Sequence, residues 1–263
     1  MSFFGKLFEK FSTGNTLYYP GCLTRFVLTD LLEKYRSIFR LLGIEFIELE
    51  GVENCCGSPV NNSGEFDDFV TLVKKNAEIF HEYGVGKIIT NCPACYRVLS
   101  NDYKEILEGN WNINVEHSSV VIANELEKKS KLTEGHLLQV AKEDVLITYH
   151  DPCHLGRYSG IYDEPRFIIN ESLKARGGDF VEMQKNKEKA SCCGGGAGMG
   201  TNNTQISNDI CGNRIKEALS IKAQLIYTSC PMCLLRLRNS NERSIPYHNI
   251  NIKDISSIFS TDE

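Results

Sequence analysis

The sequence predicts an α/β fold: two tandem duplicated α/β domains with mostly parallel sheets and cysteine clusters at the carboxyl edges of the strands. Three observations lead there. Ten of the eleven cysteines form two sets with the same internal order. Segments of β type and helix type alternate through both halves of the chain. Each cysteine group follows directly on a β-type segment.

The first set is Cys22, then the pair Cys55–Cys56 with Gly57, then Cys92-Pro-Ala-Cys95. The second is Cys153, then Cys192–Cys193 with Gly194, then Cys230-Pro-Met-Cys233. From the single cysteine to the pair there are 32 intervening residues in the first set and 38 in the second. From the pair to the CPxC there are 35 and 36. Matching order and spacing mark an internal repeat. Cys211 has no counterpart, lies on an expected helix and reads as a core side chain.

The elements follow from periodicity. LYY (17–19) is a short strand that ends near Cys22. Leu28, Leu31, Leu32, Tyr35, Ile38, Phe39 and Leu42 recur at helical spacing, and Gly43 ends that helix. IEFIEL (44–49) is a strand leading to Cys55–Cys56. Residues 66–83 form a helix stopped by Gly84, and KIIT (87–90) is the strand before Cys92. A helix to about Leu107, strand INVEH (113–117) and a helix over 120–129 complete the half.

The second half repeats the order. VLITYH (145–150) leads to Cys153, and a helix covers 164–176. DFVEM (179–183) leads to Cys192–Cys193, followed by a helix over 204–219. LIYTS (225–229) leads to Cys230; a helix, strand IPYH (245–248) and a last short helix close the chain. The expected division is an N-terminal tail 1–14, a first domain 15–130, a polar linker 131–144 and a second domain 145–263. Alternating β and α elements place strands in parallel with helices on their faces. Ligands of such sheets gather beyond the carboxyl ends of the strands, so thiols about 35 residues apart meet at one rim.

Bulk properties narrow the function. The 263 residues are 41% hydrophobic and 24% charged, enough for a core in each half without disulfide staples. A net charge of −5 with scattered Lys and Arg argues against nucleic acid as a partner. No apolar run approaches the length of a membrane span. Lys6, Glu9 and Lys10 interrupt any signal-peptide core, so the expected location is cytoplasmic. There thiols stay reduced, and eleven cysteines read as metal or redox ligands rather than disulfides.

Five thiols per set exceed the four that tetrahedral zinc or a cubane cluster needs. Adjacent cysteines do not easily reach one tetrahedral ion, but they can reach different irons of a larger cluster. Iron–sulfur clusters are therefore the expected cofactor, with zinc in one half as the alternative. Proline stiffens each CPxC turn, and Gly57 and Gly194 let the backbone approach a cluster sulfide.

Several motifs together resemble the cysteine-rich CCG family: YYPGC (18–22), NCCGSP (54–59), NCPACY (91–96), HDPCHLGR (150–157), GIYDEPR (160–166), CCGGGAGM (192–199) and SCPMC (229–233). That family includes the B-type subunit of heterodisulfide reductase, the C-terminal part of the D-type subunit, and iron–sulfur subunits of glycolate and lactate oxidases. The resemblance implies a noncubane 4Fe–4S cluster on Cys22, Cys55, Cys56, Cys92 and Cys95, and another on Cys153, Cys192, Cys193, Cys230 and Cys233. It implies delivery of electrons to a small-molecule disulfide or thiol substrate. The alternative is an electron relay in a 2-hydroxyacid (glycolate or lactate) or quinone-linked dehydrogenase complex. The ferredoxin-like run of the D-type and oxidase subunits is not seen in the 21 residues before Cys22, so the chain is similar to the B-type subunit. A ferredoxin-like or flavin-bearing electron-transfer subunit is then the expected partner.

Other residues carry weaker readings. His154 is the candidate catalytic residue, because a histidine beside a cluster can protonate a leaving thiolate; ordering the turn is the alternative role, for it and for His150. Arg25 and Arg157 are candidates for attracting an anionic substrate or offsetting cluster charge. His117 and His248 read as equivalent strand ends with a structural role. GGGAGMG (194–200) fails the dinucleotide fingerprint and reads as close backbone approach to a cluster or substrate. Phe3, Phe4, Leu7, Phe8 and Phe11 make an apolar stripe suited to docking on the protein itself, with a partner or a membrane surface as the alternative.

Overall fold

Strand β1 (Asn15–Tyr18) is followed by helix α1 (Gly21–Phe26), which carries Cys22, and helix α2 (Thr29–Leu42). These features come from a computed structural model, which describes residues 14–52, 54–130, 145–196, 198–244 and 250–259. The N-terminal stripe, the linker 131–144 and the strand expected at 245–248, with His248, lie outside the described residues.

Helix α2 buries Leu31, Leu32, Tyr35, Ile38, Phe39 and Leu42, the side that the spacing predicts. Gly43 ends it in a left-handed conformation, φ 72°, which costs glycine least. Then come α3 (Ser58–Asn62), α4 (Phe66–Glu82) and β2 (Val85–Thr90). Helix α5 spans 93–106 and contains a π-helical segment, Val98–Asp102. Strand β3 (Asn114–His117) and helix α6 (Ser118–Ser130) follow. The second half runs β4 (Leu146–His150), α7 (Asp163–Arg176), β5 (Asp179–Phe180), α8 (Met199–Asn202), α9 (Thr204–Ser220), β6 (Leu225–Thr228), α10 (Pro231–Ser244) and β7 (Asn251–Asp254). A 3-10 turn, Ile255–Ile258, ends the described chain.

All strand pairs are parallel, in the orders β1-β2-β3 and β5-β4-β6-β7. The strand expected at 44–49 is reduced to one bridge, Leu17 to Ile47. Its bonds are Tyr18 N–H to Ile47 O and Ile47 N–H to Thr16 O, at 2.9 and 2.8 Å. Beyond Ile47, Glu48 and Glu50 accept from Arg36 at 2.6–2.8 Å instead of extending the edge. The equivalent edge strand, β5, has two residues rather than the five of DFVEM. With both included, the halves share one strand order.

The last strand falls later than expected, at Asn251–Asp254. Register places His117 opposite Thr90 and Asp254 opposite Thr228. Asp254, not His248, is therefore the counterpart of His117. The repeated segments are INVEH (113–117) and INIKD (250–254). His117 and Asp254 share a local structural role. His117 Nδ1 accepts from the Ser119 N–H at 3.2 Å, and Asp254 Oδ1 from the Ser256 N–H at 2.9 Å. Each side chain caps the turn that leaves its strand.

The core is divided differently from the expected one core per half. Period-two alternation sends Leu17, Tyr19 and Ile88 to a cluster confined to the first half. Tyr18 and Ile89 point the other way, into a cluster that continues through α2 and α6 into the second half. The contacts reciprocate: α2 packs on the closing 3-10 turn, and α7 packs on α6. Exchanged contacts between corresponding elements are what an approximate two-fold produces. At their centre the Tyr35 hydroxyl donates to Asp254 Oδ1 at 2.9 Å, with both residues buried.

Tyr35→Phe leaves Asp254 without its donor across the halves and is expected to cost about 1.5–3 kcal/mol, read as a lower unfolding midpoint in denaturant. Burial holds the His117 pKa down at about 3, against 6.5 ordinarily. The unfolded chain then takes up a proton that the folded chain refuses, so stability present above pH 6.5 is lost as pH falls towards 3. The slope is roughly 1.4 kcal/mol per pH unit in that window. His117→Asn keeps a cap acceptor without titrating, and denaturation at pH 7.5 and 5.5 should show a smaller difference than in the parent.

Candidate metal centres

The strand ends bring each set of five cysteines together. In the first half Cys22 lies against Cys55, Cys55 against Cys56, Cys56 against Cys95 and Cys95 against Cys92. In the second, Cys153 lies against Cys192, Cys192 against Cys193, Cys193 against Cys233 and Cys233 against Cys230. The order of contact is the same in both. The Cys233 thiol donates to the Cys193 sulfur at 3.2 Å. Cys22 is exposed, Cys55, Cys92, Cys153 and Cys192 are half-buried, and the rest are buried.

Local structure aims these side chains. Cys92 caps α5, with Pro93 at its first position, where no amide hydrogen is needed. Cys230 stands before Pro231 of α10, and the Cys233 thiol and the N–H groups of Cys233 and Met232 pull its pKa down. Gly57 and Gly194 hold positive φ, 91° and 76°, and their N–H groups point to the sulfurs of Cys55 and Cys192 at 3.5 and 3.3 Å. Packing within the protein by itself requires glycine at both positions. A Cβ at Gly57 would meet the Phe69 ring at 2.5 Å, and one at Gly194 the Ser207 carbonyl oxygen at 2.4 Å. The glycine-rich loop likewise presses on α10: a Cβ at Gly195 would meet Arg236 and Met232.

The electrostatics are those of crowded, mutually hydrogen-bonded thiols. Hydrogen bonds from Cys55 and Cys95 bring the Cys56 pKa down to about 5. Cys153 and Cys193 lower that of Cys192 in the same way. The donors are held protonated in turn, as contact with Cys55 raises Cys22 and contact with Cys192 raises Cys153. Five thiolates at this separation repel one another strongly, and only a multivalent cation ionises the whole set. The donor chemistry, five sulfurs per set, fits an iron–sulfur cluster.

Around the second set, His154 Nδ1 lies 3.4 Å from the Cys153 sulfur, and its ring meets Tyr158 at 5.2 Å. Burial, then the nearby Arg97, lowers its pKa. Arg97, from the first half, lies over the Tyr158 ring, 5.3 Å from its centroid. Burial likewise takes the His150 pKa down to about 3. A cavity of about 550 Å³ opens beside this meeting point, lined by Tyr96, Ser100 and Lys104 from one half and Tyr158 and Ser159 from the other.

The two arginines have structural partners. Arg157 donates to Glu188 O and Ala190 O at 3.1 Å, and Arg25 pairs with Glu48 at 3.5 Å. Cys211 is fully buried, as expected, and donates to Arg236 O at 3.4 Å.

Two ion-pair systems were not foreseen from the sequence. Arg166 holds Asp151 through both carboxylate oxygens, at 2.8 and 3.0 Å, and Glu182 at 2.5 and 3.0 Å. This clamps the HDPC turn to α7. The residues sat in two recognisable motifs, HDPCHLGR and GIYDEPR, but charge pairing between motifs is not visible in either alone. Fully buried Arg214, on α9, donates from Nε to His150 Nδ1 at 3.1 Å. No signal in its neighbourhood distinguished it from a surface arginine.

These features define a class: a duplicated α/β protein with a five-cysteine rim on each half. The family model described as the cysteine-rich domain, CCG, matches residues 16–100 and again 147–238. The chain belongs to this family. It is 31% identical, over 87% of its length, to the D-type subunit of the dihydromethanophenazine:CoB–CoM heterodisulfide reductase of Methanosarcina acetivorans, covering 54% of that protein. It is 32% identical over 92% of its length to the EtfAB:quinone oxidoreductase of Syntrophomonas wolfei, covering 33%. It is 34% identical over 77% of its length to the probable iron-sulfur-binding oxidoreductase FadF of Bacillus subtilis, covering 27%. The chain thus spans between about a quarter and about half of these relatives. Among the described residues no helix is long and apolar enough to cross a membrane.

Arg166→Leu strands the buried Asp151 carboxylate and should cost about 3–5 kcal/mol, measured by denaturant unfolding. A cost below about 1 kcal/mol, the range of a surface pair, would show that the clamp does not hold the Cys153 turn.

Proposed function

We propose that the chain is an iron–sulfur oxidoreductase subunit of heterodisulfide-reductase type. In this reading Cys22, Cys55, Cys56, Cys92 and Cys95 hold one noncubane 4Fe–4S cluster, and Cys153, Cys192, Cys193, Cys230 and Cys233 hold the other. Electrons come from a ferredoxin-like or flavin-bearing partner subunit in the cytoplasm and go to a small-molecule disulfide. The observation that carries the reading is the gathering of two complete five-thiol sets in the same order of contact. One thiol set beyond the need of zinc could be chance packing; two with equal connectivity are a repeated ligand set.

When bound, such clusters supply single electrons at low energetic cost. Reduction of R–S–S–R′ needs two electrons and two protons and yields RSH and R′SH. In this reading His154, whose Nδ1 is 3.4 Å from the Cys153 sulfur, holds one of those protons. The cavity between the halves offers space next to Tyr158, lined by polar groups from both halves. Its Lys104 suits a carboxylate- or phosphate-bearing substrate.

A second reading has its own support. Similarity to the EtfAB:quinone oxidoreductase of Syntrophomonas wolfei favours an electron relay with no substrate at these clusters, serving a quinone-linked or 2-hydroxyacid dehydrogenase.

Anaerobic preparation should give about four irons and matching sulfide per set. Zinc without sulfide overturns the iron–sulfur reading. Cys56→Ala should lose about half the iron and leave the second set filled. On adding a disulfide to the reduced protein, oxidation with release of two thiols supports the reductase. Full clusters with no oxidation by any disulfide in a panel of charged and neutral compounds favour the relay. His154→Ala should slow thiol release while iron content stays unchanged.

A further inference from the structure

The two rims are not chemically equal. His150 ends β4 three residues before Cys153; Tyr19 is three residues before Cys22. The Tyr19 hydroxyl donates to Asn54 O at 2.5 Å. The His150 ring, 1% exposed, lies instead among sulfurs: a ring nitrogen and the sulfurs of Cys193 and Cys233 are all within 4.8 Å of one another.

The tautomer follows from the partner. Arg214 is an obligatory donor, so Nδ1, 3.1 Å from its Nε, is the ring's acceptor. In the neutral ring Nε2 then carries the hydrogen. Nε2 is buried and has no hydrogen-bond partner among the described residues. A buried donor left unpaired is unfavourable, and the ring that carries it lies within 4.8 Å of the Cys193 and Cys233 sulfurs. A nitrogen that bears hydrogen cannot also ligate a metal, so the ring serves as a donor rather than as a sixth ligand.

We propose that His150 is a positioning residue that donates a fixed N–H hydrogen bond to the second sulfur set, oriented by buried Arg214, and makes the second centre the easier of the two to reduce. This rests on the iron–sulfur reading above. A hydrogen bond to cluster sulfur stabilises the added electron and raises the potential. Arg214 adds positive charge behind the ring, partly balanced by Glu217 at 2.7 Å. The buried Asp254 carboxyl acts against this at Cys230, but the Tyr35 hydroxyl and Ser256 N–H already take up its charge. The backbone donors to Cys55 and Cys192 are equivalent and cancel between the halves.

The test is an anaerobic redox titration followed by EPR on the full chain with both clusters loaded. His150→Leu should shift one of two midpoint potentials to more negative values and leave the other unmoved. His150→Gln, which offers an amide N–H near the position of Nε2, should recover most of the shift. Unmoved potentials in His150→Leu with full iron and sulfide overturn the proposal. Should that variant lose iron, the His154→Ala protein labelled with 15N-histidine decides, because His154 also lies beside this set. Weak hyperfine coupling to one reduced centre supports a donor; none, or the strong coupling of a direct ligand, overturns it. Iron and sulfide missing from the parent would remove the cluster reading itself, an outcome distinct from failure of this proposal alone.

Discussion

Mutual repulsion among five sulfur atoms at one strand edge is the constraint on which the rest of this structure depends. Each rim holds its thiols close enough that one can ionise only when its neighbours donate to it, as Cys55 and Cys95 do for Cys56. A protein that gathers such groups must hold them rigidly against their own repulsion. The surrounding features serve that end. Positive-φ glycines follow each cysteine pair, prolines stiffen each CPxC, and Arg166 ties the Cys153 turn to its helix.

Parallel strands solve the problem of bringing distant residues together. Every strand in both sheets runs the same way, so every strand ends at the same edge. Chain segments about 35 residues apart arrive there after one or two helices each. Duplication then supplies a second rim. The helical layer between the sheets fuses the halves through a single apolar cluster, and the contact of Tyr35 with Asp254 fixes their relation. Arg97 of the first half consequently meets Tyr158, packed on His154, beside the second rim.

Duplication left differences that carry chemistry. Tyr19 and His150 occupy corresponding places, as do Pro20 and Asp151. The second rim therefore has an imidazole, a buried guanidinium and a carboxylate clamp where the first has a tyrosine and a proline. Such a division gives two similar centres different electrostatic surroundings on one scaffold.

Cysteine order and hydrophobic period were sufficient to reveal the repeat, the parallel α/β class, the buried face of α2, the extent of α4, and the ten clustered thiols. These depend on local spacing, which a linear chain displays. Edge strands were legible only in part: 44–49 has the composition of a strand, yet Glu48 and Glu50 turn to Arg36 and leave a single bridge. The pairing of His117 with His248 failed because strand register, not residue type, sets equivalence, and register places Asp254 there. By itself the sequence determined which residues could become ligands. Tertiary structure alone decided the partners of His150, Arg214, Arg166 and Asp254. Buried charges choose partners by proximity across elements, and that proximity exists only once the chain is folded.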